Sequence, residues 1–178
     1  AFSGNLFSKA KTIATNLIES LTNELLKEDV VTSPDNETSI ILLGDMEVEK
    51  FLLVGDAGIR ALGSAITYAK SKICDLTDVN LYQIPHHGGR HNVSPSILDS
   101  LVGPRKPSTN PTKTAIVSVS KESDHPRKMV TNAFIRRGAK VYEARTNILR
   151  HYRNMPDRDG WSAAKTLEFS DKVENWDD

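Results

Sequence analysis

The residues of this chain best suited to chemistry stand at the ends of apolar runs. Phe51-Leu52-Leu53-Val54 runs into Gly55 and then Asp56. Leu81-Tyr82-Gln83-Ile84 runs into Pro85, then His86, His87, Gly88 and Gly89. A strand carries a side chain to the edge of a core, and the glycine or proline that follows turns the chain there. A carboxylate and two imidazoles at two such edges offer a divalent-metal site. Zinc accepts this nitrogen and oxygen set, and manganese accepts it where oxygens dominate. A further imidazole, His125, stands between Asp124 and Pro126 after the apolar run Thr114–Val119.

Each of these residues also has a plain structural reading. Asp56 could cap the helix that begins at Gly58 and Ile59. His86 and His87 are adjacent on extended backbone, so their side chains diverge. One of them is free to ligate while the other bonds a neighbour, and the residues alone do not choose between them. His125 is either a loop residue near a helix start or a ligand or proton carrier. His91, in Arg90-His91-Asn92, reads as a loop tip, with contact to a substrate phosphate beside Arg90 as the alternative. Lys121 and Arg127 flank His125 and are cations available to an anionic substrate. His151, within Arg150-His151-Tyr152-Arg153, reads as part of a mixed-charge surface turn rather than a substrate loop. Arg136 and Arg137 offset a helix dipole. Cys74 reads as a small buried apolar residue.

The elements that must position these groups follow from periodicity. Ser8–Glu28 has a helical stripe of Ile13, Leu17, Ile18, Leu21 and Leu25. Thr38–Gly44 and Glu49–Gly55 read as strands of a hairpin, apolar enough to be covered on both faces. Gly58–Ile73 reads as an amphipathic helix packing Ile59, Leu62, Ile66, Ala69 and Ile73. Val79–Ile84 is a strand. Ser94-Pro95 caps and opens a helix through Leu101. Thr114–Val119 is a strand. Pro126 opens a helix through Arg137 with Met129, Val130, Ala133 and Phe134 inward, ended by Gly138. Lys140–Ala144, Asn147–Tyr152 and Lys165–Phe169 are short strands. The alternation gives an α/β layered fold. The acidic tail Asp171–Asp178 is expected to fray.

Three ordered motifs, Leu52-Leu53-Val54-Gly55-Asp56, Pro85-His86-His87-Gly88 and His125-Pro126, resemble the second half of a metallo-β-lactamase-fold hydrolase. The branch they resemble is the hydrolase domain of DNA-uptake competence channel proteins and its soluble relatives. The resemblance runs from about Thr38 to about Tyr152. It implies the carboxy-terminal half of an αββα sandwich. It implies Asp56, His86, His87 and His125 as metal ligands, with Asp56 and His125 as catalytic residues. It further implies up to two divalent ions, zinc first and manganese second. Gly89 departs from the family's serine. The upstream His-x-His-x-Asp-His motif is not found, and the first histidine is His86. The expected partner is therefore an amino-terminal half of the same domain that completes the site. The expected substrate is nucleic acid or another phosphodiester. An esterase or lactonase on the same scaffold, and a non-catalytic interaction or regulatory domain, are the alternatives.

Composition frames these expectations. The 178 residues are one domain's worth, with 38% apolar and 26% charged residues. The 23 basic and 23 acidic residues balance, so no global charge draws the chain to nucleic acid or membrane. A single cysteine rules out an intrachain disulfide. No apolar run reaches the ~20 residues of a spanning helix. A cytoplasmic setting is expected.

Overall fold

The computed structural model describes residues 23–106 and 110–176. Strands β1 (Leu42–Asp45), β2 (Lys50–Leu53), β3 (Leu81–Gln83), β4 (Lys113–Ser118), β5 (Ala139–Ala144) and β6 (Thr166–Leu167) form one six-stranded sheet in sequence order. The β2–β5 strands run parallel, and β1 and β6 close the edges antiparallel. Among the described residues three α-helices connect the parallel strands: α1 (Ile59–Ser71), α2 (Pro95–Leu101) and α3 (Lys128–Arg136). Sequential strands joined by crossovers of one hand leave every helix on the same side. No helix among the described residues is long and apolar enough to cross a membrane.

The two faces of the sheet differ accordingly. Leu52, Tyr82, Ala115 and Val141 lie in one register row and are buried under the helices. Leu62 and Ile66 from α1, Leu98 from α2, and Met129, Val130 and Phe134 from α3 complete that core. The opposite face has no helix layer among the described residues. Its Leu42 and Leu53, cross-strand partners, are 49% and 41% exposed, so the expected cover on both faces of the hairpin is not found, and on the helix side only Leu52 is buried while Leu43 is 37% exposed. The irregular segment after β5 crosses part of this face. Leu149, His151, Tyr152 and Ala163 lie beside Ile116 and Tyr142, and His151 Nε2 is 2.5 Å from Glu49 Oε1. The strand expected at Asn147–Tyr152 does not form; the segment is irregular, and its Ile148 and Tyr152 are exposed.

Other departures have equally local causes. The helix Gly58–Ile73 stops at Ser71, and Ile73, at φ 55, is turned out and 98% exposed. Cys74 is only half-buried beyond that turn. Residues 8–22 of the first expected helix lie outside the described residues; 23–28 are irregular, and the Glu24 side chain there enters the interior. There Glu24 Oε2 meets Arg137 Nη1 at 3.0 Å, and Arg137 Nη2 meets Asp99 Oδ1 at 2.8 Å. Arg136 and Arg137 are thus buried, not helix-end surface charges. Burial raises the Glu24 carboxyl above its ordinary range, while Arg137 pulls it back. Gly138, at φ 80, ends α3 as expected. The tail does not fray over 171–176: Val173 is buried, Glu174 Oε1 accepts from Lys128 N at 2.7 Å, and Trp176 Nε1 donates to Leu25 O.

The Glu24–Arg137–Asp99 cluster yields a stability prediction. Arg137→Met leaves the buried Glu24 carboxylate without the guanidinium that offsets its burial and should cost about 3 kcal/mol, the scale of a buried pair that has lost one partner. Urea unfolding at neutral pH measures it, and an unchanged midpoint would contradict it.

Candidate active site

All four sequence-nominated residues stand on turns or loops that follow strands at the carboxyl end of the parallel sheet. Open α/β sheets place their sites at this edge. The turn after β2 carries Asp56. Val54 and Gly55 donate their N–H groups to Gln83 Oε1 at 2.9 and 3.1 Å, and Gly55 O accepts from His86 N at 3.1 Å. The buried Asn92 donates Nδ2 to Asp56 O at 2.9 Å. The Asp56 turn is thus fixed from two sides by polar groups on other elements.

The carboxylate of Asp56 is not a helix cap. Glu37 occupies the start of α1, accepting from Ala61 N at 2.6 Å. Asp56 Oδ2 instead faces His86 Nδ1 at 3.6 Å. Asn36 Nδ2 lies 3.3 Å from the same nitrogen. His87 diverges, and its Nδ1 sits 2.5 Å from Ser118 O. The structure therefore pairs His86 with Asp56 and sends His87 elsewhere. Both histidines have left-handed backbone, φ 44 and 56. That conformation costs a non-glycine residue roughly 1 kcal/mol or more, and such strain gathers at functional sites.

His125 reaches the site through the loop from β4 to α3. Its Nδ1 is 3.0 Å from Asp124 Oδ1 and 3.3 Å from Ser123 Oγ. Asp124 Oδ2 also holds Arg127 Nη2 at 2.7 Å. A proton on Nδ1, shared with Asp124, leaves Nε2 with its lone pair for a ligand or a proton. Pro126 follows His125, but α3 starts at Lys128, because Glu174 supplies the cap there.

His86 and His125 share one open cleft of about 400 Å³. Its walls also hold Asn36, Arg90, His91, Asn92 and Arg127, and no carboxylate is among its lining residues. His91, expected as a loop tip, is a cleft residue. Arg90 is buried, its Nη1 donating to Asn175 O at 2.7 Å. Lys121 is exposed and outside the lining, and His151 is committed to Glu49. Burial lowers the proton affinity of both His91 and His125. For His91 the neighbours Arg90, His86 and Lys27 act in the same direction; for His125, Asp124 opposes and Arg127 reinforces it.

As a metal shell the site is partial. Two ligands of one tetrahedral zinc at ~2.0–2.1 Å are ~3.4 Å apart, so Asp56 and His86 fit one edge of such a shell. No group of three His, Cys, Asp or Glu side chains able to hold an ion occurs among the described residues. The closed two-ion shell implied by the resemblance is not assembled by these residues. Gln83, Asn36 and Asn92 are site residues that no motif marks. The one signal for Gln83 was a polar residue inside an apolar strand; Asn36 and Asn92 had none.

No family model, curated protein or solved structure matches the chain.

The lowered histidines give a pH prediction. Above about pH 7 both folded and unfolded chains hold them neutral. As the pH falls through the ordinary histidine value near 6.5, the unfolded chain gains protons that the folded one resists, so stability falls. Urea midpoints should drop between pH 7.5 and 5.5, and His91→Gln with His125→Gln should flatten that drop. A wild-type midpoint constant across this interval would contradict it.

Proposed function

We propose that the chain is the carboxy-terminal half of a metallo-β-lactamase-fold hydrolase, metal-dependent and acting on phosphodiesters. The observation that carries this reading is the Asp56–His86 pair, 3.6 Å apart, against a cleft lined by Arg90, His91, His125 and Arg127. The apolar sheet face bearing Leu42 and Leu53 supports the sandwich, in which a second sheet covers it.

Asp56 and His86 would hold the ion, zinc or manganese, with the remaining donors supplied by the other half. A bound divalent ion supplies a water acidic enough to be hydroxide near neutrality and offsets charge on the attacked group. His125 takes or returns a proton at Nε2, held in orientation by Asp124. Arg127 and His91 face the substrate's phosphate oxygens. A neutral ester or lactone would need no guanidinium at this wall, so the presence of Arg127 favours a phosphodiester. One observation favours a non-catalytic domain instead, the lack of a three-ligand group among the described residues.

The two readings separate on the product of the complete gene with bis(p-nitrophenyl) phosphate and zinc or manganese. Hydrolysis should require the metal. Asp56→Asn and His86→Ala should each lose on the order of 100-fold, while His87→Ala should stay within about threefold because its ring is turned to Ser118. Metal-independent turnover, no turnover, or equal losses at His86 and His87 would overturn the assignment.

A further inference from the structure

The loop between β4 and α3 carries Asp124, His125 and Arg127, yet it has no regular structure from Ser120 to Asp124. Its internal bonds are few. Ser123 N donates to Ser120 O at 3.2 Å, and Ser123 Oγ accepts from His125 N at 3.1 Å. What gathers its carbonyl groups is a side chain from the next strand. Arg145, just beyond β5, donates from Nη1 to Ser120 O at 2.9 Å, Lys121 O at 3.2 Å and Ser123 O at 2.8 Å. Its Nη2 donates to the carbonyl of His125. Glu143 orients the fork, with its Oε1 2.6 Å from Nε and its Oε2 3.2 Å from Nη2.

A guanidinium is suited to this task. Its five donors lie in one rigid plane, so one edge can bond a carboxylate while the remaining N–H groups reach several carbonyls. A lysine amine has three rotatable donors and cannot hold both partners in a fixed plane. On its far side the same loop is tied to the histidine turn, where Arg127 N donates to Gly88 O at 3.1 Å. His125 is therefore fixed between a clamp on β5 and the turn that carries His86.

We propose that Arg145, oriented by Glu143, is a positioning residue of the site: it sets where His125 stands relative to His86. The proposal rests on the hydrolase reading, in which His125 Nε2 acts on the substrate. Arg145 bonds the backbone of His125 and not its ring, so it touches no reacting atom. Substituting it displaces His125 without removing a ligand, which should lower kcat and leave KM nearly unchanged.

The test uses the complete gene product with Arg145→Lys and Glu143→Gln. Glu143→Gln keeps the guanidinium and its carbonyl bonds, so it remains informative if Arg145→Lys fails to fold. Two readouts are taken on each variant. The first is the His125 imidazole resonances without metal. The second is kcat and KM for bis(p-nitrophenyl) phosphate. In Arg145→Lys the His125 resonances should shift and broaden while Tyr68 resonances on α1 stay fixed. Its kcat should fall on the order of 100-fold, the scale of a misplaced catalytic group, with KM within about twofold. Glu143→Gln should move both readouts in the same direction by less. Unmoved His125 resonances, or a rise in KM at constant kcat, would overturn the proposal. Absence of turnover in the wild type would overturn the hydrolase reading alone, because the resonances still decide whether Arg145 fixes His125.

Discussion

The cleft depends on the contact between Gly88 and Pro126. Gly88 has φ 83, and a Cβ placed there would lie 2.5 Å from Pro126 Cβ and 3.0 Å from its Cα. Only a residue without a side chain lets the two turns meet. Their meeting places two histidines from separate crossovers, His86 and His125, in the walls of one cleft. The same turn makes the choice between His86 and His87. Its successive left-handed residues rotate one ring towards Asp56 and the other towards Ser118. The strain of those residues is borne by the surrounding bonds, among them His86 N to Gly55 O and Arg127 N to Gly88 O.

A second regularity organises the periphery. Each of the three helices begins against a glutamate from a distant segment. Glu37 Oε2 accepts from Ala61 N in α1, Glu28 Oε1 from Ser96 N in α2, and Glu174 Oε1 from Lys128 N in α3. A carboxylate at a helix start satisfies orphan N–H groups and favours the dipole. Here it also anchors irregular chain. Glu28 and Glu37 bracket the stretch that brings Thr32, Ser33 and Asn36 to the cleft, so its front wall is held at both ends. Glu174 ties the tail to the helix that follows His125.

What the sequence disclosed and what it hid follow from the range of the interactions. Apolar runs ending in Gly55-Asp56 and Pro85-His86 marked strand ends because a strand's period and its terminating turn are local. The α1 stripe placed Leu62 and Ile66 correctly in the core, and Ser94 caps α2 as its type suggests, accepting from Ile97 N. The stripe overran at Ile73 because periodicity says nothing about where a helix stops. Arg136 and Arg137 looked like surface charges because their partners, Asn23, Glu24 and Asp99, are remote in sequence. Asn92 and Arg145 leave no trace in the sequence for the same reason. Each acts through backbone groups of another element, which leaves no pattern around the residue itself.

Whether Asp56 and His86 share an ion decides the metal-dependent reading of the site. The direct measurement is anomalous diffraction from crystals of the complete gene product grown with zinc, with data on both sides of the zinc absorption edge. A peak within ~2.0–2.2 Å of an Asp56 carboxylate oxygen and a His86 ring nitrogen, with His87 still turned to Ser118, is the predicted result. Saturating zinc with no peak between Asp56 and His86, or a peak ligated by His87 in place of His86, would contradict it.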